Sequence, residues 1–247
     1  MTETLLIFIL VGFLAQLVDG ALGMAFGVIS STILLSLGVP PAAASASVHL
    51  VESFTTGASG LSHLYHRNID WGLFRRLALP GIAGGVTGAY VLSNVDGNVV
   101  KPFILAYLTI IGLVLIYRGF RSPPAPKNPA IVAPLGLVGG FLDAAGGGGW
   151  GPVVTSNLLI QGSSPRTTIG TVNATEFFLT VTVSITFFSS LGFDAFSQAA
   201  VGLLIGGVAA APFGAIVTKR IPAKPLLIMV GGVLTITSIY GIVKAFS

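Results

Sequence analysis

Charge in this chain is confined to short gaps between long apolar runs, and that distribution leaves few folds open. The 247 residues include only 12 basic and 8 acidic side chains, while 53% are hydrophobic. Soluble domains carry about 25% charged residues. A water-facing surface cannot be assembled from so few charges, so a soluble enzyme, a disordered chain and a nucleic-acid-binding domain are excluded. The sequence predicts an all-α polytopic membrane protein, with the lipid bilayer as its main partner. No gap is long enough for an extramembrane domain. Cysteine is absent, which removes disulfides and thiolate metal sites. Leu5–Val18 has the apolar length of a signal sequence. However, Glu3 is the sole early charge and no small-residue cleavage site follows, so the segment is read as part of the mature protein.

A spanning helix needs about 20 mostly apolar residues. Leu5–Val18 and Met24–Leu37 are short and flank the glycine-bearing stretch Asp19–Gly23; Pro41–Leu64, Leu73–Leu92 and Val99–Tyr117 follow. Ser122–Pro129 carries four prolines and cannot be helical. This linker near the midpoint separates a first repeat, residues 1–121, from a second, residues 130–247.

The repeat is visible on shifting the sequence by 124 residues. Gly12 meets Gly136, Asp19 meets Asp143, Gly23 meets Gly147 and Gly27 meets Gly151. Leu34-Leu35 meets Leu158-Leu159, Gly38 meets Gly162, Pro41 meets Pro165 and Glu52 meets Glu176. Asp70 and Asp194 share the offset, and Lys101-Pro102 meets Lys224-Pro225 after a one-residue slip. Coincident leucines and glycines are common in apolar sequences, but acidic residues in register are informative because there are so few.

Charge then orients the halves. Arg67, Arg75 and Arg76 make one gap basic, whereas its counterpart at Ser189–Gln198 has no basic residue. The gap at Asn94–Lys101 has one basic residue, and its counterpart has Lys219, Arg220 and Lys224. Equivalent loops of opposite character belong on opposite membrane faces. The expectation is an inverted-topology repeat, with broken or re-entrant helices opening each half, as in secondary transporters. Arg118, Arg121 and Lys127 join the cytoplasmic set, which places the N-terminus outside. Leu5–Val18 reaches only about 21 Å as a helix, against a hydrocarbon thickness of about 30 Å.

The breaks are the candidate binding site. Four consecutive glycines, Gly146, Gly147, Gly148 and Gly149, cannot hold a helix. Their amides, with Gly23 and Gly27 in the first half, either bind an anion at helix N-termini or serve close packing. No Gly-Lys-Ser/Thr follows, which argues against a nucleotide. Asp19 and Asp143 stand at the entrances, either capping the next helix or holding a coupled proton or cation. Glu52 and Glu176 lie three residues after His49 and Asn173, one helix face each. With Ser47 and Thr171 nearby, these faces either line a cavity or form an interhelical network. Arg166 either attracts an anion or anchors to lipid headgroups. Three histidines without cysteine make a metal site improbable, and no cofactor is expected. Gly81/Gly85, Gly84/Gly88 and Gly202/Gly206 have packing spacing, within a protomer or between protomers of a homo-oligomer.

The stretches Gly12–Gly27 (GFLAQLVDGALGMAFG) and Gly136–Gly151 (GLVGGFLDAAGGGGWG), each followed by Gly-x-x-Pro, resemble the TauE/SafE sulfite exporter family. The first stretch departs from the family pattern at Ala21, Leu22, Met24 and Ala25. The resemblance implies a bacterial plasma-membrane transporter of sulfite, sulfoacetate or related anions, and no enzyme activity. The reading is alternating access, with a small sulfur oxyanion or organosulfonate bound between the two breaks. A passive anion channel and a carrier of another small organic anion stay open as alternatives; an intramembrane enzyme would need a nucleophile–base pair that does not stand out.

Overall fold

The computed structural model describes the backbone of residues 2–22, 24–121, 127–193, 198–220 and 223–246. Side chains are described over 5–19, 24–96, 98–121, 127–164, 167–193, 199–210, 224–225 and 227–243. Among these residues the chain is helical, without strands. The helices are α1 (Thr2–Leu22), α2 (Phe26–Ser36), α3 (Pro41–Tyr65), α4 (Trp71–Asn94), α5 (Gly97–Gly119) and α6 (Ala133–Gly146). A π-helical turn, Trp150–Thr155, runs into α7 (Ser156–Ile160), and α8 (Pro165–Leu191), α9 (Gln198–Arg220) and α10 (Ala223–Phe246) complete the chain. Asn98–Gly119 and Thr167–Leu191 are long and apolar enough to cross a bilayer. Leu79, Phe103, Ile110 and Ile236 point outward from the bundle, the face a membrane protein gives to acyl chains.

Helix starts and stops recur at the 124-residue offset. α2 begins at Phe26 and the π turn at Trp150; α3 begins at Pro41 and α8 at Pro165. The turns between them are alike atom for atom. Gly38 and Gly162 take φ of 89° and 93°, a region open to glycine and costly to other residues. Val39 donates to the Leu34 carbonyl and Ser163 to the Leu158 carbonyl, both at 3.0 Å. Proline at the first helical position then restarts each helix without losing a bond.

The two halves interlock. α1 packs on α9 and α6 on α4, both parallel, through glycines that let backbones touch. A side chain at Gly84 would strike the Leu137 carbonyl, at Gly140 the Gly81 carbonyl, and at Gly206 the Ile9 carbonyl. The small-residue spacings read from the sequence thus join helices within one protomer. α3 lies against α8 and α5 against α10, and both pairs run antiparallel. Gly57 faces Phe177 and Gly60 faces Ala174; Gly112 faces Gly231 and Gly119 faces Ile228.

α1 is longer than the apolar run suggests. At 21 residues it reaches about 31 Å, because Asp19 does not end the helix but turns its carboxylate onward to the next one. α2 with 11 residues and α6 with 14 reach only about 16 and 21 Å, short of the bilayer core. The segment from α6 to α7 returns to the end at which it starts. Gln161, after α7, accepts from the amides of Ala130 and Ile131, before α6, at 3.0 and 2.9 Å. Lys127 donates to the Gly162 carbonyl at 2.7 Å, and Arg76 donates to the Ala130 carbonyl at 3.1 Å. Arg67, Arg75, Arg76, Arg118, Arg121, Lys127 and Lys224 therefore gather at one end of the bundle, while Lys101 sits at the other.

Candidate functional site

The break after α6 is organised by a single carboxylate. Gly147 ends the helix with φ of 70°, and Gly148 continues at φ of 142°. These values demand glycine at both positions. The amides of Gly147 and Gly148 then donate to the backbone carbonyl of Asp143. The next two amides, Gly149 and Trp150, donate to Asp143 Oδ1 at 2.6 and 2.8 Å. Four consecutive N–H groups thus converge on one residue. In the first half Asp19 does the same at the matching positions: its Oδ1 accepts from Ala25 and Phe26 at 2.7 and 3.1 Å. Each aspartate caps the short helix beyond its break across a gap of six and seven residues.

The two breaks touch each other. A Cβ on Gly27 would lie 3.1 Å from the Gly148 Cα and 2.8 Å from Glu52 Oε1, so only glycine allows this approach. The Ser31 hydroxyl donates to the Gly147 carbonyl, and the Ser45 hydroxyl donates to the Ala144 carbonyl at 2.6 Å. Trp150, fully buried, packs its ring on Gly81 and donates from Nε1 to Val172 at 3.3 Å. Phe26, its counterpart in the first half, packs on Gly207.

Where the breaks meet they leave a cavity of about 10 Å³, room for roughly one water molecule. Its lining includes Asp19, Glu52, Asp143 and Glu176, with Met24, Gly27, Gly148 and Gly149. The four acidic side chains singled out in the sequence therefore all border this one cavity. Among the described residues no lysine or arginine lines it.

The pairing within this cluster differs from the i, i+3 reading. His49 turns to the other half, with Nε2 3.0 Å from Asp143 Oδ2 and Nδ1 2.8 Å from the Ser45 carbonyl. A carbonyl accepts only, so Nδ1 carries a hydrogen. A single further proton then lies between Nε2 and the aspartate. Glu52 is 4% exposed, and its Oε2 has no hydrogen-bond partner.

Several candidate binding residues lie away from the cavity. Thr171 accepts from the Asp70 amide at 2.9 Å, because the first turns of α8 reach the basic end of the bundle. Asn173 donates back to the Ile169 carbonyl of its own helix at 2.9 Å, so it does not mirror His49 by holding Asp19. Ser47 is buried in α3 and does not line the cavity. Gly23, the Arg166 side chain and Asp194 lie outside the described residues. Gly146 and Gly149 pack on Tyr107, a residue the sequence reading passed over. Its hydroxyl is buried without a partner, and its one signal is a polar aromatic midway along an apolar span. Ser45 belongs to the polar face ahead of His49 and Glu52 in the sequence, but Ser31 was missed; serines on apolar helices carry no mark of their partners.

Among the described residues no group of three or more His, Asp and Glu side chains is placed to hold a metal ion. The profile of the family described as sulfite exporter TauE/SafE matches residues 8–241. The probable membrane transporter protein YtnM of Bacillus subtilis (strain 168) is 43% identical over 239 residues, covering 93% of this chain and 80% of that protein. No solved structure matches the chain.

Proposed function

This chain belongs to the sulfite exporter TauE/SafE family of membrane transporters, and on that premise we propose that it carries a small sulfur oxyanion or organosulfonate by alternating access. The observation that carries the reading is the contact of two breaks, each capped by an aspartate in the same way, at the centre of the bundle. The space between the breaks holds about one water, too little for an anion of several heavy atoms. Substrate therefore enters when one break moves away from the other. A carboxylate and a sulfur oxyanion present similar pairs of oxygens to backbone amides. As a break opens, amides held by Asp143 or Asp19 pass to the incoming anion and replace its lost hydration. Gly27 and Gly146–Gly149 give the backbone access this needs, and His49 is the nearby side-chain donor.

The antiparallel course of α3 against α8, and of α5 against α10, supports two inverted repeats, residues 1–121 and 130–247, joined by the linker at 122–129. The gathered basic residues at one end support placing that end in the cytoplasm of a bacterium, which leaves the N-terminus outside the plasma membrane. Each break would then be gated from a different side, as inverted repeats require.

The test is counterflow exchange in proteoliposomes. Vesicles preloaded with unlabelled sulfite, sulfate, thiosulfate or a short sulfonate are offered the labelled anion. Uptake accelerated by one of these internal anions is expected. Absence of exchange with every member of the panel refutes the substrate class. Flux without acceleration from the far side refutes alternating access and favours a channel.

A further inference from the structure

The electrostatics of the cavity identify what travels with the anion. Four carboxyl side chains from four different helices line a space of one-water size. Asp19 on α1 and Asp143 on α6 have backbone amides to hold, and Asp143 also engages His49. The imidazole has both nitrogens committed, to Ser45 and Asp143. Glu176 on α8 is half-buried. Glu52 on α3 lines the cavity and is almost wholly buried, and its Oε2 has no hydrogen-bond partner. The other titratable group nearby, Tyr107 on α5, presents a hydroxyl that is also without a partner, against Gly149; α2 presents Gly27. Among the described residues no basic side chain lines the space.

An unpartnered carboxylate at this depth is untenable beside three other acids, unless something positive joins it. A metal ion does not fit. Although the four acids border one space, among the described residues no three of them are placed as a group that could hold such an ion, and the remaining lining is glycine backbone, apolar side chains and the Met24 thioether. A proton needs only one oxygen and no extra volume. We infer that Glu52 is the carrier of a proton that crosses the membrane together with the anion. This rests on the transporter reading and names its coupling ion. Glu52 Oε2 takes a proton from water on the side to which the cavity is open, forming an O–H bond. The neutral carboxyl lowers the negative charge that an entering oxyanion meets. After the bundle opens to the other side, the O–H bond breaks and the proton passes to water there. His49 and Asp143 hold the break closed around the loaded site and do not carry this proton. The second half has Asn173 at the position of His49, and it turns back to the Ile169 carbonyl of its own helix.

The experiment measures protons moved per sulfite. Wild-type and Glu52→Gln proteins are reconstituted with a pH-reporting dye inside the vesicles, and sulfite is added outside under a pH gradient. Wild type is expected to accumulate sulfite up the gradient with about one proton entering per anion. In Glu52→Gln the ratio is expected to fall at least tenfold, and Glu52→Asp is expected to restore it. Should Glu52→Gln move no sulfite, infrared difference spectra of the purified protein between acid and alkaline buffer decide the matter. A protonated-carboxyl band present in wild type is expected to vanish in Glu52→Gln and to persist, shifted, in Glu52→Asp. An unchanged proton ratio in Glu52→Gln, a band that survives the substitution, or wild-type sulfite flux without protons overturns the assignment. If wild type exchanges no sulfite at all, it is the substrate reading that fails, and the infrared titration still tests Glu52.

Discussion

Replacing Asp143 separates its two roles, acceptor for backbone amides and charged partner of His49. The residue is 1% exposed and holds three buried donors: Gly149 and Trp150 amides on Oδ1, and His49 Nε2 on Oδ2. In Asp143→Ala all three lose their acceptor. A buried donor left unsatisfied costs about 1–3 kcal/mol. With about 1.5 kcal/mol for each, allowing for a water entering the space left behind, the loss is about 4–5 kcal/mol. In Asp143→Asn the carboxamide oxygen keeps both amides, while the new NH₂ donates to Nε2 of a neutral His49 whose Nδ1–H stays on Ser45. Every donor is satisfied, and only the extra strength of charged hydrogen bonds is lost, about 1 kcal/mol. At roughly 2–4 °C per kcal/mol for a chain of this size, the midpoint should fall by about 8–20 °C in Asp143→Ala and about 2–4 °C in Asp143→Asn. Thermal unfolding of the detergent-purified protein, followed by tryptophan fluorescence, reads this well. Trp150 is fully buried at the break, and Trp71 is exposed at the bundle's end. If Asn proves as damaging as Ala, the ion pair rather than the cap holds the break. If Ala is harmless, the amides have other acceptors and the capping account is wrong.

Two further expectations follow from the same geometry. Gly148→Ala should prevent recovery of folded protein by size-exclusion chromatography, since its Cβ would run into the Gly27 backbone at a positive φ; Gly38→Ala, with open space around it, should cost only the roughly 1–2 kcal/mol of left-handed backbone. The chain has no cysteine, so single cysteines can be placed in it directly: one at Asn128 should resist a membrane-impermeant thiol reagent added to whole cells, while one at Gly192 should react, and the reverse pattern would invert the orientation.

The sequence showed the class, the two breaks and the four acids, because each rests on a scarce or extreme local signal. Asp19, Glu52, Asp143 and Glu176 stand out among so few charges, and Gly146–Gly149 can hardly be anything but a break. What stayed hidden depends on pairings across the chain. His49 has Glu52 as its neighbour along the helix, but the fold brings Asp143, 94 positions away, to its Nε2. Thr171 and Asn173 sit where a cavity face was expected, yet they serve a loop and their own backbone, choices set by how far α8 reaches along α3. The end of α1 was misplaced at Asp19 because a charge in an apolar run reads as a boundary. Here the carboxylate faces inward, and its cost is offset by two amides.

The parallel pairing of α1 with α9 and of α6 with α4 also sets an order of assembly. α6 leaves the ribosome after α4 is already in the membrane, so the second break can close on a waiting partner. α1 has no such partner until α9 is made, roughly 180 residues later, or about 10–40 s at the usual rate of synthesis. During that interval the glycine face of α1 is open to lipid, and the Phe26 ring lacks its seat on Gly207. The first break is therefore completed last, after translation of nearly the whole chain. A protein shortened before α9 would leave its first helices in the membrane with nothing to close on, a natural substrate for membrane quality-control proteases.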